Sequence, residues 1–137
     1  MTNPITDILE TALYAEDLDA AEAFYADVLG FEKITRADNR HIFFRVGASV
    51  LLIFNPNETI HPAPEGALPV PAHGAKGQGH ACFRLDSDRF HTVIERLVAE
   101  GVSIESDFLW PNGARSIYFR DPAGNSLECA EPKLWGL

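Results

Sequence analysis

The feature that most constrains the fold is an internal repeat with a period of about half the chain. Gly30 and Gly101 are each placed to end an amphipathic helix, and they lie 71 positions apart. Glu10 and His80 each fall at the opening of a predicted strand, and they lie 70 positions apart. A repeat of that register predicts two copies of one supersecondary unit.

The first copy begins with a predicted strand over residues 8–15, and Asp17 follows as a candidate helix N-cap. Apolar residues at helical spacing then predict a helix over 18–29. Turn signals at 38–39 and 47 separate the predicted strands, which are 31–36, 41–46 and 50–54.

The second copy shows the same order of elements. It has a predicted helix over 90–100. Its predicted strands are 80–85, 102–108, 115–120 and 125–130. Between the copies, residues 55–79 contain five prolines and no sustained periodicity, which indicates a connecting loop.

These patterns predict an α+β protein. Two βαβββ modules, over 7–55 and 80–132, form a curved mixed sheet around a metal-binding cleft, with helices on the outer face. A Pro/Gly-rich loop over 56–79 connects them, and residues 1–137 form a single domain.

Composition and sequence pattern argue against several classes of partner. The net charge of −9 and the absence of clustered Lys and Arg argue against nucleic acid. Cys82 and Cys129 fit neither a disulfide scaffold nor a metal pair. No basic segment followed by an apolar run opens the chain at 1–7, and no apolar stretch spans a bilayer, so we expect a cytoplasmic protein with no membrane partner.

Three polar side chains share the strand faces that point away from the predicted helices. Strand alternation puts Glu10, His80 and Glu128 on those faces, and both carboxylates stand within apolar strands. A divalent cation with imidazole as third ligand would compensate the cost of desolvating the carboxylates. The alternative is that each side chain is simply solvated at a sheet edge.

The chain resembles the vicinal oxygen chelate superfamily, which includes glyoxalase I, bleomycin-resistance proteins, fosfomycin-resistance enzymes and extradiol dioxygenases. The segments that carry the resemblance are 10–18 (ETALYAEDL), 23–25 (AFY), 28–31 (VLGF), 79–83 (GHACF) and 118–128 (YFRDPAGNSLE). The most specific of them is the phrase Asp-Pro-x-Gly-Asn followed by a strand Glu.

The resemblance implies a metal held at Glu10, His80, Glu128 and the position of Leu52. Leu52 cannot ligate, so the four-ligand glyoxalase I pattern is incomplete, and a three-ligand site like that of the fosfomycin-resistance enzymes is closer. One imidazole and two carboxylates suit Zn²⁺, Ni²⁺, Mn²⁺, Mg²⁺ or Fe²⁺. The set lacks the second histidine of the iron oxygenase triad, which counts against a dioxygenase.

The function implied is a glyoxalase-like metal-dependent lyase or isomerase, with a small substrate that chelates the metal through adjacent oxygens. Glu128 or Glu10 would be the catalytic base. The alternative is a resistance-type protein, either a fosfomycin thiol transferase or a bleomycin-like drug binder. The resemblance also implies a homodimer, and the sequence leaves open whether the modules pair within one chain or between two.

Further residues are candidates for substrate contact. Tyr14 is placed to donate a hydrogen bond to a bound oxygen, and Trp110 to wall the pocket or cover a sheet edge. The candidates for binding an anionic substrate are Arg45, Arg84 and Arg115. His61 and His73 would approach the site only if the proline-rich loop folds as a lid, and Cys82 shares the face of His80.

Overall fold

The computed structural model describes residues 2–137, so Met1 of the predicted domain lies outside the described residues. The strands are β1 (Glu10–Tyr14), β2 (Glu32–Ala37), β3 (His41–Val46), β4 (Ser49–Phe54), β5 (His80–Arg84), β6 (Ser106–Leu109), β7 (Arg115–Arg120) and β8 (Ser126–Ala130). The helices are α1 (Leu18–Glu22), α2 (Pro56–Thr59) and α3 (Phe90–Ala99). A π-helix spans Ala23–Val28, and short 3₁₀ turns lie at Ser87–Arg89 and Pro132–Trp135.

The strands form two curved four-stranded mixed sheets, one in each module. The first has the order β1-β4-β3-β2 and the second the order β5-β8-β7-β6. In each sheet the opening strand runs parallel to the last strand of its module, and the other pairs are antiparallel. The predicted α+β fold of two βαβββ modules is therefore confirmed.

The predicted helix over 18–29 differs in detail. Only Leu18–Glu22 is α-helical, and Ala23–Val28 is a π-helix in which the amide of Leu29 donates to the carbonyl of Phe24. The wider turn leaves the adjacent residues Phe24 and Tyr25 both buried. Phe24 contacts Phe119 of the second module, and Tyr25 contacts Phe44 of the first.

One apolar core therefore joins both modules through this helical segment. A buried hydrogen-bond network reinforces the junction, because the Tyr25 hydroxyl donates to Asp121 Oδ2 at 2.6 Å. Burial, and then the charge of Asp121, raise the pKa of Tyr25 and keep it a donor. Asn125 donates to the same carboxylate and to the carbonyl of Tyr14, and it accepts from the amide of Gly79.

The connecting segment contacts the first sheet through His73, whose ring centroid lies 4.6 Å from that of Phe54. It begins with the short helix α2, which Asn55 caps, whereas the sequence predicts only a loop there. His73 returns to this helix, since its amide donates to the carbonyl of Thr59 at 2.9 Å. No helix within residues 2–137 is both long and apolar enough to cross a membrane.

Candidate metal and substrate site

His80 and Glu128 meet on the face of the second sheet that points away from α3. His80 opens β5, and Glu128 lies in the neighbouring strand β8. The distance from His80 Nε2 to Glu128 Oε1 is 3.4 Å. The Glu128 side chain is only 7% exposed, and that of His80 is 51% exposed, so the pair opens to solvent on the histidine side.

A hydrogen bond at the second ring nitrogen orients the His80 side chain. His80 Nδ1 lies 2.9 Å from the carbonyl of Ser126, and because a carbonyl only accepts, Nδ1 carries the proton. In the neutral ring Nε2 then has a free lone pair, which is the form that binds metals.

A hydrogen-bond chain fixes the carboxylate. Trp110 Nε1 donates to Ser116 Oγ at 2.7 Å, and this hydroxyl donates to Glu128 Oε2 at 2.6 Å. The chain leaves Oε1 of Glu128 facing Nε2 of His80.

This donor pair fits a divalent ion. Two ligand atoms that each lie about 2.1 Å from one ion at a tetrahedral angle are roughly 3.4 Å apart. The pair has this spacing, and one imidazole and one carboxylate are ordinary ligands for such ions.

Two neighbours of the pair stay protonated. Tyr118 stacks on the His80 ring with centroids 6.3 Å apart, and burial followed by contact with Glu128 raises its pKa to about 12. Partial covering of the Cys82 thiol, and then the charge of Glu128, raise its pKa to about 12. Cys82 therefore lines the site as a neutral thiol.

Glu10 does not complete this site within one chain. No group of three His, Cys, Asp or Glu side chains within residues 2–137 is arranged to hold a metal ion. A cavity of about 850 Å³ lies between parts of the two modules, and Glu10 lines it while neither His80 nor Glu128 does. The convergence that the strand faces predict is absent from the single chain.

The strand register nevertheless confirms the correspondence between the modules. Glu10 is opposite Val50 as His80 is opposite Ser126. Leu52 occupies in β4 the position that Glu128 occupies in β8. The first module therefore offers one candidate ligand where the second offers two.

The other candidate residues are spread over the molecule. Tyr14 and Arg45 lie on the Glu10 face of the first sheet, where Arg45 pairs with Glu32. Trp110 acts through Ser116, as described above. Arg84 lines the cavity between the modules.

Arg115 lies on the opposite face of the second sheet from Glu128. Its guanidinium donates two hydrogen bonds to Asp107 and stacks over Phe90, a residue of α3. Arg115 is thereby occupied by a structural contact and stands outside the candidate site.

The two histidines of the connecting loop differ in their exposure. His61 is exposed. His73 is half-buried, and its Nδ1 lies 2.7 Å from the hydroxyl of Tyr14.

Sequence reasoning missed two residues beside the His80–Glu128 pair, Ser116 and Tyr118, and one residue of the first module, Arg40. Ser116 and Tyr118 alternate with the buried Ile117 and Phe119 in β7, and this alternation already indicates that they share the face of Glu128. Arg40 lies in the turn before β3, where no pattern predicts its direction.

Comparison with known proteins decides the family. The Glyoxalase/Bleomycin resistance protein/Dioxygenase superfamily model matches residues 7–129. The chain belongs to this superfamily. Its fold and motifs are accordingly those of vicinal oxygen chelate proteins.

Individual relatives agree with this assignment. The crystal structure of a lactoylglutathione lyase from Agrobacterium tumefaciens is 46% identical, with a TM-score of 0.92, over 98% of this chain and 100% of that one. A glyoxalase/bleomycin resistance protein/dioxygenase from Nocardioides is 26% identical, with a TM-score of 0.70, over 95% of this chain and 85% of that one. A virulence protein of Salmonella typhimurium is 28% identical over 87% of this chain and 79% of its own length.

Proposed function

We propose that this protein is a glyoxalase-like, metal-dependent lyase or isomerase whose active site forms between two copies of the chain. The observation that carries the proposal is the oriented pair of His80 Nε2 and Glu128 Oε1, 3.4 Å apart. The similarity to a lactoylglutathione lyase supports the reaction class.

The second copy supplies the third ligand. Glu10 lies on the open face of the first sheet, and its carboxylate makes no hydrogen bond or ion pair with any side chain or backbone group of residues 2–137. Bringing that face over His80 and Glu128 of a partner gives Glu10 a cation to balance and completes the set of three ligands. Such a homodimer would hold two equivalent sites.

The chemistry follows from the character of the two carboxylates. A divalent ion bound there supplies Lewis-acid polarisation of two adjacent substrate oxygens and stabilises the negative charge that develops on them. Glu128 is buried and held by Ser116, so it is suited to a fixed role. The Glu10 carboxylate is exposed and has no hydrogen-bond partner within residues 2–137, so it is better suited to take a proton from the substrate carbon.

The test is turnover of the hemithioacetal of methylglyoxal and glutathione, measured together with metal content. We expect the purified protein to hold about one divalent ion per chain and to form the thioester, and Glu128→Gln to lose both. Asp88→Asn, an exposed change before α3, is the control and should retain both. Full activity after complete removal of metal would contradict the proposal, and so would a metal-loaded protein with no turnover.

Trp110→Phe tests the two linked hydrogen bonds that orient the Glu128 carboxylate. The change keeps an aromatic ring but removes the Nε1 donor, so Ser116 loses the bond that fixes its hydroxyl. We expect metal affinity to fall by about tenfold, since hydrogen bonds that orient a metal-binding side chain have effects of this size. Competition with a fluorescent chelator measures it, and Trp135→Phe at the exposed C-terminal turn is the matched control. Unchanged metal affinity in Trp110→Phe would show that the hydrogen bond from Trp110 to Ser116 does not contribute to metal binding.

A further inference from the structure

The strand register divides the Glu10 face of the first sheet into three rows of side chains. The first row is Glu10, Val50 and Arg45, the second is Ala12, Leu52 and Phe43, and the third is Tyr14, Phe54 and His41. Neighbouring rows are two residues apart along each strand, which is about 7 Å. The third row therefore lies about 13 Å from Glu10.

Polar side chains surround the Phe54 ring at the far end. The ring centroids of His73, His41 and Tyr14 lie 4.6, 5.9 and 6.3 Å from that of Phe54. The guanidinium carbon of Arg40 lies 5.9 Å from the same ring. We call these four side chains, Tyr14, Arg40, His41 and His73, the Phe54 cluster.

The cluster presents hydrogen-bond donors. Arg40 Nη1 donates to His41 Nδ1 at 2.7 Å, which places the proton of the neutral His41 ring on Nε2. Burial, and then the charge of Arg40, lower the pKa of His41 and favour this neutral form. The remaining edge of the guanidinium, Nε and Nη2, has no hydrogen-bond partner within residues 2–137.

No carboxylate balances the cluster. Within residues 2–137, neither Arg40, His41 nor His73 forms an ion pair with an acidic residue, although the chain has 20 Asp and Glu against 11 Lys and Arg. The free fork of Arg40 matches a carboxylate in a two-bond geometry. The unpaired guanidinium edge of Arg40 beside the Phe54 ring is therefore suited to bind an anion, although the protein as a whole is acidic.

We infer that the Phe54 cluster binds a carboxylate at the far end of the substrate. This rests on the proposed function, because Glu10 on the same face defines the chelating end. The apolar second row lies between the two ends. The substrate class is then a molecule with two adjacent oxygens at one end, an apolar middle and a carboxylate about 13 Å away.

The first experiment tests the subsite without metal. Octanoate and its neutral counterpart octanamide are titrated into the metal-free protein, and the ring resonances of His41 and His73 are followed by NMR. We expect octanoate to shift both rings and octanamide to shift them at least tenfold more weakly. Arg40→Met should abolish the difference and Arg40→Lys should retain part of it. Arg89→Met, on the 3₁₀ turn before α3, is the control and should leave it unchanged.

The second experiment joins the subsite to the metal. Suberic acid monohydroxamate and octanohydroxamic acid share a chelating head and chain length and differ by the terminal carboxylate. Calorimetry on the Zn²⁺-loaded protein should show the carboxylate form binding about tenfold more tightly, and Arg40→Met should remove that preference.

The outcomes separate the two proposals. Equal affinity for the two hydroxamates, or equal shifts with octanoate and octanamide, would overturn the subsite and leave the metal proposal standing. Octanoate-specific shifts at His41 and His73 without binding of either hydroxamate would support the subsite and contradict the metal site.

Discussion

Mixing two inactive variants should restore activity. Glu10→Gln and Glu128→Gln should each lose about 100-fold or more of hemithioacetal turnover, the size expected when a catalytic carboxylate becomes an amide. After dissociation and reassociation together, half of the dimers contain one chain of each kind. Each mixed dimer has one site with Glu10 from one chain and Glu128 from the other, so about a quarter of wild-type activity should return.

The return of activity in the mixture depends on whether the first and second modules of one site belong to two chains or to the same chain. If one chain holds a whole site, every chain in the mixture carries a lesion and activity stays at the level of the single variants. The matched control is a mixture of His80→Gln and Glu128→Gln, which damage the same module and should not complement. Native mass spectrometry of the mixture checks that mixed dimers form. Recovery in the control mixture would contradict a site shared in this way.

Asp121→Ala should destabilise the protein more than any single change at the metal site. The buried Asp121 carboxylate accepts from the Tyr25 hydroxyl and from the backbone and side-chain nitrogens of Asn125. Alanine leaves these buried donors without an acceptor, which costs about 3 kcal/mol or more. That is a large share of a typical free energy of unfolding of roughly 5–15 kcal/mol.

Urea unfolding measures the loss of stability in Asp121→Ala, and two further variants test whether it comes from the unpaired donors. Tyr25→Phe removes one donor together with its need for an acceptor, so it should cost only about 1 kcal/mol. Asp27→Ala, an exposed change in the same helical segment, should cost less than about 0.5 kcal/mol. A loss in Asp121→Ala no larger than that in Tyr25→Phe would show that Asp121 does not anchor the junction.

The sequence predicts the modules well because periodicity records which face of each element is buried. Gly30 and Gly101 end the two helical segments with φ of 75° and 76°, a conformation that favours glycine. Strand alternation correctly places Leu13 and Leu127 in the core. The π-helical turn at Phe24 and Tyr25 escapes prediction because it follows from contacts with both modules at once.

The site is predicted less completely, for physical reasons. Alternation identifies the faces of Glu10, His80 and Glu128, but no local pattern says how one module is oriented against the other. That orientation depends on the shared core around Phe24 and Tyr25. Arg40 lies in a turn, where its direction is set by His41 and Phe54 and by no repeating pattern.

The opening strand of each module pairs on one side only within residues 2–137. β1 pairs with β4, β5 pairs with β8, and the two sheets remain separate. Unpaired strand edges attract other strands, and charged residues such as Glu10 and Arg84 along these edges limit indiscriminate pairing. If the chains associate as we propose, the β1 and β5 edges of a newly made chain stay exposed until a second chain binds, so we expect its solubility during synthesis to depend on how soon that association occurs.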